Sequence, residues 1–245
     1  GLGDMFICLS KCYNYIDKDE KFHFTYVDDT DNRRTKVDYS KYAQEFLDVQ
    51  GIEYNIIKAK QFEYYAQHGK EYYYCFSPQV YGEVDSFLLR PNSIRSDSKP
   101  YIDFKTPFIQ HEEQHSIAIN YFAGNGDDLR RIWSSDKFLQ DLIKYLSVKL
   151  GYIVYLIGID DGKQFDMCID CRKTSFMNEL GIIKHCSKVI CFSGFIHLFS
   201  CFSNKKVIVK WENEAAKQFY YHPEWLKNNV KFWKNETFSE IVGLL

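Results

Sequence analysis

From Ser116 to Val209 short apolar runs alternate with longer amphipathic stretches, and this alternation constrains the fold more than any other feature. Ser116–Phe122 is expected to be a strand. Ala123–Leu129 reads as a Gly/Asn/Asp loop. Ser134–Leu150 reads as a helix, with Ser134 or Ser135 as its N-cap and Gly151 as its stop. Tyr152–Ile157 is a buried strand and Asp160–Gly162 a turn. Ser175–His185 is a helix, Lys188–Phe192 a strand, Gly194–Cys201 a short helix and Val207–Val209 a strand. Strands separated by helices run parallel, with the helices covering both faces. Ligands of such sheets bind beyond the carboxyl ends of the strands.

The first half carries a weaker form of the same pattern. Helices are expected over Asp4–Ile16, Tyr39–Val49 and Gln61–His68, and strands over Phe22–Val27, Glu53–Ile57 and Tyr72–Phe76. From Gly82 the pattern fades, and Pro91, Pro100 and Pro107 mark loops. A junction near Thr106–Gln114 then divides 245 residues into an N-terminal domain, 1–110, and a C-terminal domain, 111–245. A hydrophobic share of 45% supports real cores, and a net charge of −2 argues against a general nucleic-acid binder. Eight cysteines could pair, but Cys191 and others lie in apolar runs of a chain long enough not to need staples, so reduced thiols in a cytoplasmic protein are expected. No run is long enough to span a bilayer, although peripheral membrane contact stays open. The chain begins at Gly1 rather than Met, which leaves room for a natural N-terminus upstream.

Three segments offer chemistry. Gly1-Leu2-Gly3-Asp4 leads into a helix, where glycines admit a ligand to the backbone and Asp4 can serve as general base. The plainer alternative is a glycine turn with Asp4 as a charge favourable to the helix N-terminus. Between the strand at Ser116 and the next helix lie Gly124, Asn125, Arg130 and Arg131. Guanidinium forks suit a diphosphate, and the alternative is a solvated basic turn. Phe192-Ser193-Gly194-Phe195-Ile196-His197 takes a buried strand through a Ser-Gly step into a helix, the arrangement that sets a pyrophosphate on a helix N-terminus. His197 lies one turn in, where it either reaches a phosphate or packs.

Two other motifs carry less. His111-Glu112-Glu113-Gln114-His115 matches the zinc-protease pattern HExxH, which requires a helix to bring both imidazoles to one face. Pro107 upstream and an expected strand immediately after it oppose that helix. Cys168-Ile169-Asp170-Cys171 is a single pair without a second at structural-zinc spacing.

Taken in order, these segments resemble the heptosyltransferase-like glycosyltransferases of GT-B fold, glycosyltransferase family 9. Asp127–Trp133 with the helix after it, Gly151–Gly158, Thr174–Leu180 and Phe192–Leu198 fit the family's successive motifs, and Gly1–Asp4 fits its N-terminal Gly-x-Gly-Asp. The resemblance implies an α/β protein of two Rossmann-like domains, with parallel sheets facing across a cleft. It implies a nucleotide-diphosphate sugar held by Gly124, Asn125, Arg130, Arg131, Thr174, Ser193, Gly194 and His197. The acceptor, a glycan or glycolipid, would meet the loop of Gly1 and Gly3, with Asp4 as catalytic base. Inversion without metal or cofactor is the family expectation. The chain departs from the family at Phe192, where the family carries Asp, and it lacks the strand expected before Gly1. A GT-B sugar-nucleotide epimerase, a catalytically silent nucleotide-sugar-binding module and, remotely, a zinc hydrolase using His111 and His115 remain alternatives.

Overall fold

A computed structural model of the chain describes residues 2, 3, 5, 6, 9, 23–29, 39–60, 63, 67, 104–107, 113–125, 128–131, 135–192, 194–210, 229–233 and 237–245. The chain forms two compact units. One comprises Gly1–Lys105, Asn125–Asp127 and Asn213–Trp225, and the other Thr106–Gly124, Asp128–Glu212 and Leu226–Leu245.

In the first unit, β1 (His23–Asp29) and β2 (Glu53–Ala59) pair in parallel, joined through helix α1 (Tyr39–Gln50). Helix α1 buries Ser40, Ala43, Phe46 and Leu47, a stripe at helical spacing. Phe46 packs against Phe6 and Phe104, with ring centres 6.2 and 5.1 Å away. The Gln50 amide donates to the Lys105 carbonyl at 2.9 Å and accepts from the Lys105 N–H at 2.8 Å, fixing the far end of the unit to the helix. Leu2, Gly3, Met5, Phe6 and Leu9 are helical, and Leu2, Met5, Phe6 and Leu9 are buried. Gly3 is therefore within helix rather than in the expected loop, because apolar residues at 2, 5, 6 and 9 already form a helical stripe that begins before it.

The second unit holds a six-stranded, all-parallel sheet. Its strands are β3 (Glu113–Asn120), β6 (Ile153–Ile157), β7 (Ile169–Asp170), β8 (Cys186–Phe192), β9 (Lys206–Lys210) and β10 (Val230–Trp233). They lie in the order β7-β6-β3-β8-β9-β10. Numbered within the unit this is 3-2-1-4-5-6, the order of a doubly wound dinucleotide-binding sheet. The α/β class with parallel sheets is the one expected. β4 (Phe122–Asn125) and β5 (Asp128–Arg131) form a separate two-stranded sheet where a loop was expected. The overlooked signal is the Gly126-Asp127 step between two short runs, a composition that favours a two-residue hairpin connection.

Alternate residues of the central strands face opposite layers. Ile117, Ile119, Val154, Leu156, Ile190 and Phe192 join one core with Leu139, Leu142, Ile143 and Leu146, and with Ile241. The leucines and Ile143 come from helix α2 (Asp136–Lys144) and the π-helical turn that continues it over Tyr145–Lys149. Ile241 belongs to the C-terminal helix 238–244. Ala118, Val189, Cys191, Val207 and Val209 point the other way and are also buried. Helices α3 (Phe176–His185) and α4 (Phe195–Phe202) cover that face. The caps follow from sequence. Ser135 Oγ accepts from the Phe138 N–H at 3.1 Å, Ser175 Oγ accepts from the Asn178 N–H at 3.3 Å, and Gly151 takes the left-handed φ of 71° that stops α2.

Candidate functional site

The chain passes from β3 to β6 and β7 on one side, then crosses to β8 on the other side of β3. The connections leaving β3 and β8 therefore diverge at their carboxyl ends, and that point of reversal is where doubly wound sheets bind ligands. Two of the sequence-marked segments leave from there. Gly124, Asn125, Arg130 and Arg131 follow β3, within β4 and β5, and Gly194 follows β8.

Gly194 occupies the N-cap position of α4 with φ 152° and ψ −154°. This region of backbone space is open essentially to glycine alone. A Cβ there would meet nothing within 4 Å among the described residues. The first bond within α4 runs from the Leu198 N–H to the Gly194 carbonyl, at 3.1 Å. The N–H groups of the first turn point toward the carboxyl edge of the sheet with the positive end of the helix dipole.

The other marked residues fall out unevenly. Thr174 closes the turn before α3, its hydroxyl donating to the Cys171 carbonyl at 2.7 Å. His197 is fully buried on α4, the packing arrangement that the sequence left open beside a phosphate role. Gly1, Asp4 and Ser193, and the side chains of Asn125, Arg130 and Arg131, lie outside the described residues. His111 does too, but Glu113, Gln114 and His115 belong to β3. The helix that HExxH needs is not formed, and His115 instead bonds the Leu150 carbonyl at 3.1 Å and stacks on Tyr152. Cys168 and Cys171 are free thiols, and burial pushes Cys168 up to about 11. Among the described residues no group of three or more His, Cys, Asp or Glu is placed to hold a metal ion.

Sequence reasoning missed a polar knot beside this edge. Arg172, its side chain fully buried, donates through Nε to Asp170 Oδ1 at 2.9 Å and through Nη2 to Asp170 Oδ2 at 2.7 Å. Nη1 reaches Asp161 Oδ1 at 3.2 Å, and Nη2 also bonds the Lys163 carbonyl. The guanidinium lies 4.8 Å from the Tyr121 ring centre and 5.5 Å from that of Phe165. The Tyr121 hydroxyl donates to Asp161 Oδ2 at 2.9 Å. Arg172 thus ties together the exits of β3, β6 and β7. Its bond to Asp170 holds that carboxyl below the ordinary range. Burial raises Asp161, but bonds from Tyr121 and Lys163 and the charges of Lys163 and Arg172 outweigh it, and the net shift is downward. With its donors engaged this way, Arg172 stiffens the edge. The visible signal was Asp160-Asp161 near an Asp-x-Arg step, which is too short-ranged to reveal a contact made through folding.

No protein-family model matches the sequence, and no curated protein matches it. Solved structures similar to the chain include two heptosyltransferases. E. coli heptosyltransferase WaaC with ADP is 10% identical, with 86% of this chain and 84% of that chain covered and a TM-score of 0.47. WaaC with ADP-2-deoxy-2-fluoro heptose gives 9%, 96%, 90% and 0.49. The dodecameric iron-containing heptosyltransferase TibC, in complex with ADP-D-beta-D-heptose, gives 12%, 85%, 63% and 0.44.

Proposed function

We propose that the chain is a glycosyltransferase that takes a sugar from a nucleotide-diphosphate donor and inverts the anomeric carbon without a metal. The observation that carries this reading is the departure of β8 into a glycine-only bend and an α-helix at the point where the strand order reverses. A helix N-terminus there favours a diphosphate through its N–H groups and dipole. Arg130 and Arg131, in β5 after the neighbouring strand, supply guanidinium forks for the same anion. Asp4 is the general base: it takes the proton of an acceptor hydroxyl on a glycan or glycolipid as that oxygen attacks the anomeric carbon. The bond to the diphosphate breaks with its electron pair leaving on the phosphate oxygen, where fixed positive charge stabilises it. The donor then belongs to the C-terminal domain and the acceptor to the N-terminal one. A cytoplasmic location accords with the free thiols of Cys168, Cys171, Cys186, Cys191 and Cys201.

Turnover of nucleotide sugars tests the reading. Asp4→Asn should lower kcat by about 10²–10⁴-fold, the usual contribution of a general base, with donor affinity kept. Turnover that survives Asp4→Asn undiminished removes Asp4 from the mechanism. Donor binding without turnover in the unaltered chain makes it a nucleotide-sugar-binding module.

A further inference from the structure

Alternation along β3 sends Ile117 and Ile119 into the core beneath α2, so Ala118 and Asn120 leave the sheet on the opposite face. That is the face covered by α3 and α4. Asn120 is the last residue of β3, in register with Ile157 on β6, and Ile119 before it is in register with Ile190 on β8. It therefore stands at the carboxyl edge, in the strand from which the order reverses. Both helices of this layer begin at the same edge, since α4 follows β8 and α3 follows β7. Their first residues meet: the Phe176 and Phe195 rings are 5.3 Å apart, centre to centre. Glu179, in the first turn of α3, accepts from the Gly158 N–H at 3.1 Å and ties that helix to the exit of β6.

Asn120 is the odd residue in this layer. Ala118, Ile157, Val189 and Cys191 on the same face are apolar and buried. Asn120 is itself 5% exposed, yet its amide takes part in no hydrogen bond among the described residues. An apolar side chain is the ordinary choice at such a position, because a buried amide without a protein partner destabilises the fold. A polar group kept there against stability is expected where a ligand completes its bonding. The amide carries two donors on Nδ2 and an acceptor in Oδ1. A phosphate offers acceptors alone and would leave Oδ1 unpaired beside an anion. Adjacent hydroxyls both donate and accept, and they satisfy the two ends at once. The first turn of α4 meanwhile supplies N–H groups for phosphates.

We infer that Asn120 binds neighbouring hydroxyls of the nucleotide-sugar donor, either those of its ribose or those of the sugar to be transferred. Nδ2 donates to one hydroxyl and Oδ1 accepts from the other. The inference rests on the glycosyltransferase reading above. A diphosphate at Gly194 carries ribose at one end and sugar at the other, so either set of hydroxyls arrives at the same edge.

Calorimetric titration of the full chain tests the inference. The ligands are the tightest binder among ADP, UDP, GDP and CDP, its 2′,3′-dideoxy form, and its glucose, mannose and heptose conjugates. Asn120→Leu, apolar and close to Asn in shape, should lose about 10–100-fold in affinity wherever the hydroxyls are read, the loss of two neutral hydrogen bonds. If the ribose is read, the parent diphosphate shows that loss and the dideoxy form does not. If the transferred sugar is read, only a sugar conjugate shows it. Asn120→Ala should give the same pattern and serves where Leu is too large to fold. Because the amide bonds no described residue, at least one of the two variants should melt no lower than the unaltered chain. Three results would overturn the inference while leaving the donor site: unchanged affinity for every ligand, an equal loss for the dideoxy form, the parent and the conjugates, or both variants melting several degrees lower. If none of the four diphosphates binds the unaltered chain, the glycosyltransferase reading fails and this inference falls with it.

Discussion

Arg172 shows how a single buried charge can fix the carboxyl edge of a parallel sheet. Its guanidinium is held by Asp170 and Asp161 and stacked near Tyr121 and Phe165. Removing one partner of a buried pair is costly because the other is left uncompensated, but Asp170 is 38% exposed and water relieves part of that cost. Arg172→Met is therefore expected to destabilise the fold by up to about 3 kcal/mol at neutral pH. The pH dependence has a definite sign. Asp170 and Asp161 have folded-state pKa values below the ordinary ones, so their contribution is complete above about 3.9 and is lost as pH falls toward the depressed values. Melting temperature measured from about pH 5 down to about pH 3 should fall more steeply for the unaltered chain than for Arg172→Met. Parallel curves would mean that Arg172 does not hold these carboxyls.

The strand–bend–helix made by β8, Gly194 and α4 is the element on which the proposed donor site depends. Gly194→Ala meets none of the described residues, and its φ of 152° is open essentially to glycine, so the expected cost is backbone strain, about 1–3 kcal/mol, read as a lowered denaturation midpoint. An unchanged midpoint would show that the bend does not need a glycine conformation. Elements of this kind were legible because their signals are local. Ser135, Gly151 and Ser175 announce the ends of α2 and α3, and the buried runs of β6 and β8 read directly as strands. The misses have local causes too. β7 has two residues, too few for any period, and β10 with the helix 238–244 lay beyond the last clear alternation. The π-helical turn over Tyr145–Lys149 keeps a helical composition while changing its hydrogen bonds. The two-stranded sheet of β4 and β5 was hidden by Gly124 and Gly126, which read as loop.

Across the whole molecule, alternation predicted parallel sheets but not their order. Whether β8 lies beyond β7 or returns beside β3 depends on which face each crossover covers, and that is decided by packing between residues far apart in sequence. Ile190 and Phe192 must meet the α2 face while Val189 and Cys191 meet α3 and α4, and the returned position achieves both. The same limit applies to the site. Gly194 could be nominated from its neighbours in sequence, whereas Arg172 gains its contacts only from strands brought side by side. The central claim, that a diphosphate binds where the strand order reverses, is tested most directly by melting the unaltered chain with each nucleoside diphosphate and its common sugars. A ligand at about 100 times its dissociation constant adds about 2.7 kcal/mol, which for a chain of this size raises the melting temperature by several degrees. At least one member should produce that rise. A melting temperature unmoved by every one of them would contradict the account.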